Sequence, residues 1–295
     1  MGKKARFEDF CIDGSEPFNL SNLPTDVKRL YEDKEDYKEK LGELTKQIDL
    51  RQQEMYAHDR YSMLLLFQAM DAAGKDGTIR RAISGIDPHG VRVHSFKSPN
   101  HTELDHDFLW RTSKVLPRRG HITVFNRSYY EEVLIVRVHP EILTKYQRVP
   151  EDLTEDLSQV WEGRYQSIRE HEIHLARNGT RVMKFFLNVS KEEQCRRFVD
   201  RIDRPEKNWK FNEGDVKERA FWDDYMEAYE DAINATATKG SPWYCIPADN
   251  KMNMRLLVAA AILNEINSLD VCYPEVSEER KASLAEFRKD LVGDD

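Results

Sequence analysis

The stretch Ser62-Met63-Leu64-Leu65-Leu66-Phe67-Gln68-Ala69-Met70-Asp71-Ala72-Ala73-Gly74-Lys75-Asp76-Gly77-Thr78 decides the fold. Its first seven residues form a nearly unbroken apolar run. That pattern belongs to a strand buried on both faces, which is typical of a parallel sheet. Small residues and Gly-Lys then follow, leading into a helix. In such a turn backbone N–H groups can approach phosphate oxygens, the helix N-terminus adds positive potential, and Lys75 supplies a compact charge. The match to GxxxxGK[ST] is incomplete, because Ala69 holds the first glycine position and Asp76 stands where a hydroxyl normally faces magnesium. Asp71, inside the loop, offers a carboxylate for a metal, directly or through water.

Around this turn, strand and helix patterns alternate. Further strands are expected at Val91–Ser95 and at residues 121–126, 181–189 and 243–246. Helices are expected at 76–85, 103–113, 158–177, 190–201, 215–236 and 251–267. Leu30, Tyr37, Leu41, Leu44, Ile48 and Met55 recur at helical steps and predict a long amphipathic helix over about 26–56, docked on the domain or on a partner subunit. The class is therefore α/β with a mostly parallel sheet, whose carboxyl edge is the place for ligands.

Composition narrows the function. The 295 residues, 40% hydrophobic, suffice for a core, and no run approaches the roughly 18 apolar residues of a bilayer span. The first ten residues are charged and unlike a signal peptide, so a cytoplasmic protein without membrane attachment is expected. Cys11, Cys195, Cys245 and Cys272 are scattered and form no metal or disulfide framework. A net charge of -8 argues against general nucleic-acid binding. A polyanion must instead meet local basic clusters.

Three such clusters occur. The apolar strand at 122–126 ends in Asn126-Arg127-Ser128-Tyr129-Tyr130-Glu131, with Asn126 in place of the usual metal-binding Asp. Arg127 there is suited to clamp a transferring phosphoryl group, with Glu131 to hold it or to complete a metal shell. A capping box at Ser190 and Glu193 opens a helix carrying Arg197, Arg201 and Arg204 on one face, followed by Pro205 and a loop containing Lys207, Trp209 and Lys210. From Arg196 to Lys210 six cations face three acids, which suits a lid over phosphates. Lys114, Arg118 and Arg119 form the third cluster, expected on the same sheet edge. His89, His94, His101, His106 and His121 have no metal-site spacing and are read as structural.

These segments, in this order, resemble the polyphosphate kinase 2 family. The likeness rests on Asp-Ala-Ala-Gly-Lys-Asp-Gly (71–77), Phe-Asn-Arg-Ser-Tyr-Tyr-Glu (125–131), Arg-Pro-Glu-Lys-Asn-Trp-Lys-Phe (204–211), and Ser-Pro-Trp with Pro-Ala-Asp-Asn-Lys (241–251). It implies a three-layer P-loop kinase-like fold. Residues 1–58 would be an N-terminal helical extension, 59–270 the kinase domain with a helical lid at about 196–214, and 271–295 a polar tail or helix. The implied activity is reversible transfer of the terminal phosphoryl group between inorganic polyphosphate and AMP or ADP, with Mg2+ or Mn2+ and no covalent intermediate. ATP is then a product, guanine nucleotides are further substrates, and a homo-oligomer, tetramer or dimer, is the expected assembly. Asp71, Lys75, Arg127 and Glu131 would be catalytic, with Asp71 on the metal. Ala73, Gly74, Asp76, Gly77, Thr78, Arg80, Arg118, Asn126, Arg197, Arg201, Arg204 and Lys207 would bind phosphate or nucleotide.

The residues agree with that chemistry on their own terms. An attacking phosphate oxygen is already ionised at neutral pH, so positioning and charge neutralisation can carry the reaction. The rival expectations are an ATP-dependent nucleotide kinase of the thymidylate kinase type and a non-catalytic polyphosphate-binding protein. Ala69 and Asp76 count against the first, and the pairing of Asp71 with Lys75 against the second.

Overall fold

The structure is a computed structural model that describes residues 4–292. The outer ends of the extension and of the tail, residues 1–3 and 293–295, and the side chain of Lys210 lie outside the described residues. Six strands form one sheet: β1 (Cys11–Ile12), β2 (Ser62–Gln68), β3 (Val91–Ser95), β4 (Ile122–Asn126), β5 (Thr180–Asn188) and β6 (Trp243–Pro247), in the spatial order β1-β6-β5-β2-β4-β3. All pairs are parallel except β1 with β6. All seven residues of β2 are buried, as the apolar run required of the strand flanked by β5 and β4.

The longer helices are α1 (Lys34–His58), α2 (Lys75–Ala82), α3 (Leu157–Arg177), α4 (Lys191–Asp203), α5 (Trp222–Thr236), α6 (Lys251–Asn267) and α7 (Glu278–Val292). The path from β2 through α2 to β3 runs toward one sheet edge, and that from β4 through α3 to β5 runs toward the other. Right-handed crossovers then put α2 and α3 on opposite faces. Consistently, α1 and α2 pack on α6, while α5 packs on α3. The crossover from β2 to β3 and that from its neighbour β5 to β6 run toward opposite edges, so a crevice opens at the carboxyl ends of these two strands. Among the described residues, no helix is long and apolar enough to cross a membrane.

Three expectations need correction. Helix α1 begins at Lys34 rather than near residue 26. The Asn253 side chain accepts the Leu30 N–H at 2.9 Å and donates to the Val27 carbonyl at 2.9 Å, which takes these backbone groups out of any helical ladder. The Asp33 carboxylate then caps the helix, accepting from the amides of Glu35 and Asp36. The helix expected at 103–113 is two short turns, His101–Leu104 and Trp110–Ser113, because the Asp107 carboxylate takes the Leu109 N–H and restarts the chain. Similarly, 215–236 divides into Glu213–Glu218, the turn Arg219–Phe221 and α5.

The extension is not a separate unit. Tyr37, Leu41, Ile48 and Met55 of α1 are buried in the same core as β2 and α6. Helix α7, by contrast, buries none of its residues.

Candidate active site

The turn after β2 carries two residues in the left-handed region, Ala72 (φ 61°) and Gly74 (φ 107°). Only glycine adopts such angles without strain, so Ala72 must be held there by its surroundings. Arg197 of α4 does the holding. Its guanidinium donates to the carbonyls of Ala72 (3.2 Å), Ala73 (2.5 Å), Ala248 (2.7 Å) and Asp249 (2.9 Å), while its Nε donates to Glu193 at 2.7 Å. Gln194 adds a bond to the Asp71 carbonyl at 3.0 Å. The turn is thus tied to α4 and, through Arg197, to the loop after β6.

Across the crevice, Arg127 follows β4, also left-handed at φ 64°. Its side chain donates to Asp71 Oδ1 at 2.6 Å and to Glu131 Oε2 at 2.9 Å. Glu131 and then Asp71 hold the guanidinium firmly charged against the opposing cost of burial. Asn126 donates its amide to Asp76 Oδ1 at 2.7 Å, fixing the orientation of both. The Lys75 Nζ donates to the Ala69 carbonyl at 2.5 Å. Burial, and secondarily the neighbouring Arg127, lower its pKa from 10.5 to about 8, against the pull of Asp71, Glu131 and Asp76.

Met70 to Gly77 line a cleft of about 590 Å3 together with Asn126, Arg127, Arg197, Arg201 and Lys207. Asp200 of α4, Ser95 at the end of β3, Phe96 and Lys97 just after it, and Lys251 at the start of α6 complete it. The sequence reading did not single out Ser95, Phe96, Lys97 or Lys251, although each lies at or after a strand's carboxyl end, where ligands are expected. Burial, and then the adjacent Arg197, lower the pKa of Lys251 to about 8. A second cavity of about 730 Å3 adjoins the first and shares Asp71, Phe96, Lys97 and Arg127 with it. Its walls include Glu131, Leu104, Ile135, Ile142, Tyr146 and Tyr225. There Asp215 faces Arg201 at 3.6 Å, and its pKa is raised by burial and by Asp71.

Several assigned residues are placed elsewhere. Arg197 is 4% exposed with every donor on a protein acceptor, so it braces the turn and has no hydrogen left for a phosphate. Arg118 precedes β4, at the amino edge of the sheet, where it donates to His121; the third basic cluster does not reach the site. Arg204 pairs with Glu206 at 2.6 Å and Asp200 at 3.8 Å, outside both cavities. Thr78 turns its hydroxyl to the Met254 sulfur at 3.7 Å, inside the core. Arg80 lines a shallow hollow on the far side of the Asp76–Asn126 pair. Lys207 is at the cleft, bonded to Asp200.

A buried network behind the second motif was invisible to sequence reading. Glu172 Oε1 accepts from the hydroxyls of Tyr129 (3.0 Å) and Tyr130 (2.9 Å). Its Oε2 accepts from Lys184 (2.6 Å) and Ser241 (2.8 Å). Lys184 also donates to the Thr236 carbonyl at 2.7 Å. Burial pushes the Lys184 ammonium down and both tyrosine hydroxyls well up. The network fixes the turn between Arg127 and Glu131.

A central parallel strand ending in a Gly-Lys turn, faced by an arginine clamp and overhung by a cationic helix, defines a phosphotransferase with a P-loop kinase-like fold. Residues 31–273 match the family model Polyphosphate kinase 2 (PPK2), and the chain belongs to that family. It is 51% identical over 289 residues to the ADP-polyphosphate phosphotransferase of Rhodopseudomonas palustris, covering 98% of this chain and 99% of that one. It is 43% identical over 252 residues to the AMP/ADP-polyphosphate phosphotransferase of Meiothermus ruber, covering 85% and 89%. The crystal structure of polyphosphate kinase 2 from Arthrobacter aurescens superposes with a TM-score of 0.86 at 34% identity, covering 98% of this chain and 99% of that one.

Proposed function

We propose that the protein transfers the terminal phosphoryl group of inorganic polyphosphate to AMP or ADP, reversibly and by direct in-line displacement. One observation carries the reading: two cavities of different character meet at Asp71 and Arg127. The cleft at the Gly74-Lys75 turn has a cationic wall of Lys75, Lys97, Arg201, Lys207 and Lys251, suited to a phosphate chain. The adjoining cavity sets Phe96, Leu104, Ile135, Ile142, Tyr146 and Tyr225 beside charged and polar side chains, among them Glu131, Glu132, Asp215 and Glu218, a mixture suited to the apolar faces and the hydroxyls of a nucleoside. A donor phosphate on Lys75 and an acceptor phosphate in the second cavity would both face Arg127.

In the forward step an ionised oxygen of the acceptor's terminal phosphate forms a bond to the terminal phosphorus of the chain. The bond from that phosphorus to the bridging oxygen breaks, and the shortened chain leaves with the electron pair. Arg127 steadies the charge on the transferring group, while Asp71 and Glu131 hold its fork in place. Lys75 balances the chain's charge, and the lid excludes water. The oxygen donors fit Mg2+, a hard cation that takes one or two carboxylates and completes its shell with phosphates and water. Asp71 and Asp76 would hold it, and it would neutralise phosphate charge.

The test is to supply AMP or ADP with long-chain polyphosphate and Mg2+, without ATP, and to follow ADP or ATP by chromatography. Absence of product overturns the reading. Repeating it with GMP and GDP reads base selectivity, and intact-mass analysis after polyphosphate alone should show no phosphorylated protein. Light scattering reads assembly, for which a homo-oligomer is expected.

A further inference from the structure

Arg255 is an arginine without a carboxylate. Its Nη1 lies 3.5 Å from the Tyr37 hydroxyl, and its Nε is buried with no acceptor. No other bond or ion pair is made by its side chain among the described residues. A half-buried guanidinium in that state is costly unless something else completes it. Its position points to what that is. Nη2 lies 3.2 Å from where a Cβ on Gly77 would stand. In a helix the Cα–Cβ bond tilts toward the N-terminus, so this guanidinium sits at the rim of the first turn of α2. The amides of Lys75, Asp76 and Gly77 have no acceptor within α2 there.

Lys251, one turn before Arg255 on the same face of α6, lines the phosphate cleft together with Gly77. Arg81 lies one turn after Gly77 on the same face of α2. It is exposed and makes no hydrogen bond or ion pair among the described residues.

We propose that Arg255, with Arg81 beside it, forms a distal subsite that takes the continuing phosphate chain of inorganic polyphosphate as it leaves the Gly74-Lys75 turn past Lys251. The inference rests on polyphosphate being the phosphoryl donor, and it makes this edge the part of the protein that distinguishes long chains from short ones. A side chain at Gly77 would press on the guanidinium, which would have to give by a few tenths of an ångström.

The experiment compares Arg255→Gln and Arg81→Gln with the parent, using tripolyphosphate and long-chain polyphosphate as donors with ADP. For Arg255→Gln the KM for long-chain donor should rise about tenfold, with kcat, the KM for ADP and the tripolyphosphate KM within about twofold of the parent, on the scale of one charge-assisted bond. The dependence of log KM on log salt should flatten by about one for the cation removed. Arg81→Gln, on an exposed side chain, should show the same chain-length selectivity in smaller measure. It also reads the track without disturbing packing between α2 and α6. Equal changes with both donors, or no change with either variant, overturn the subsite. A parent protein that makes no ATP from any polyphosphate would instead remove the donor reading itself.

Discussion

Replacing Arg197 separates a brace from a phosphate contact. In Arg197→Met the carbonyls of Ala72, Ala73, Ala248 and Asp249 lose their donor, whereas Glu193 keeps two bonds from Arg196 at 2.6 Å each. No charge is therefore stranded, and the loss is that of four acceptors. At about 1 kcal/mol each, the cost is roughly 3–5 kcal/mol. With an m-value near 3 kcal/mol/M for a chain of this size, the urea midpoint should fall by about 1–1.7 M. Arg197→Lys offers one ammonium to carbonyls on two loops and should recover no more than about half of that. Because Ala72 is released from its left-handed angle, kcat should fall with the stability, while the KM for polyphosphate moves less than in Arg201→Gln. An Arg197→Met protein with the parent's midpoint and a defect confined to the polyphosphate KM would refute the reasoning.

Four further outcomes follow from the same geometry. Lys75 titrates at about 8 in the free protein, so kcat/KM should fall as pH rises through that value, whereas the limb in kcat should lie higher because bound polyanion favours the ammonium; Lys75→Ala should cost at least about 100-fold in kcat. Because its folded pKa is below the unfolded one, the unfolded chain binds more protons between about 8 and 10.5, and stability should rise with pH across that window less steeply in Lys75→Met, as equilibrium urea unfolding reads. In Asn126→Asp the amide bond to Asp76 becomes a meeting of two carboxylates, with a loss of about 1–2 kcal/mol in chelator and recovery on titrating Mg2+; melting curves without that recovery would remove the metal from this pair. Glu172→Gln leaves Lys184 buried without its counter-charge and should cost about 3–5 kcal/mol in urea unfolding, part of it regained in the double variant Glu172→Gln with Lys184→Met.

Local chemistry makes most of the fold legible in the sequence. The apolar run Ser62–Gln68 could only be a strand buried on both faces, and alternation with helical periods then fixed a parallel sheet. The failures occurred where a distant side chain decided the backbone. Nothing near residue 26 announces that Asn253 will take the backbone groups of Val27 and Leu30 and keep the chain out of a helix there. The two residues of β1 are too few for any periodicity, and only the free edge of β6 makes them a strand.

The site followed a related logic. A motif is readable when every residue that makes it lies within one turn, as with Gly74, Lys75 and Asp76. Arg127 was recoverable because it directly follows a strand. Arg118 was not placed correctly, since sequence proximity to Arg127 says nothing about which end of β4 a residue occupies. Five residues of strand, at about 3.3 Å each, separate the two edges. Arg197 failed for a different reason: a cation on a helix face looks the same in sequence whether it meets a phosphate or four carbonyls. Counting donors against acceptors settles which, and the same count that removes Arg197 from the phosphate-binding set leaves Arg255 with its nitrogens largely unused.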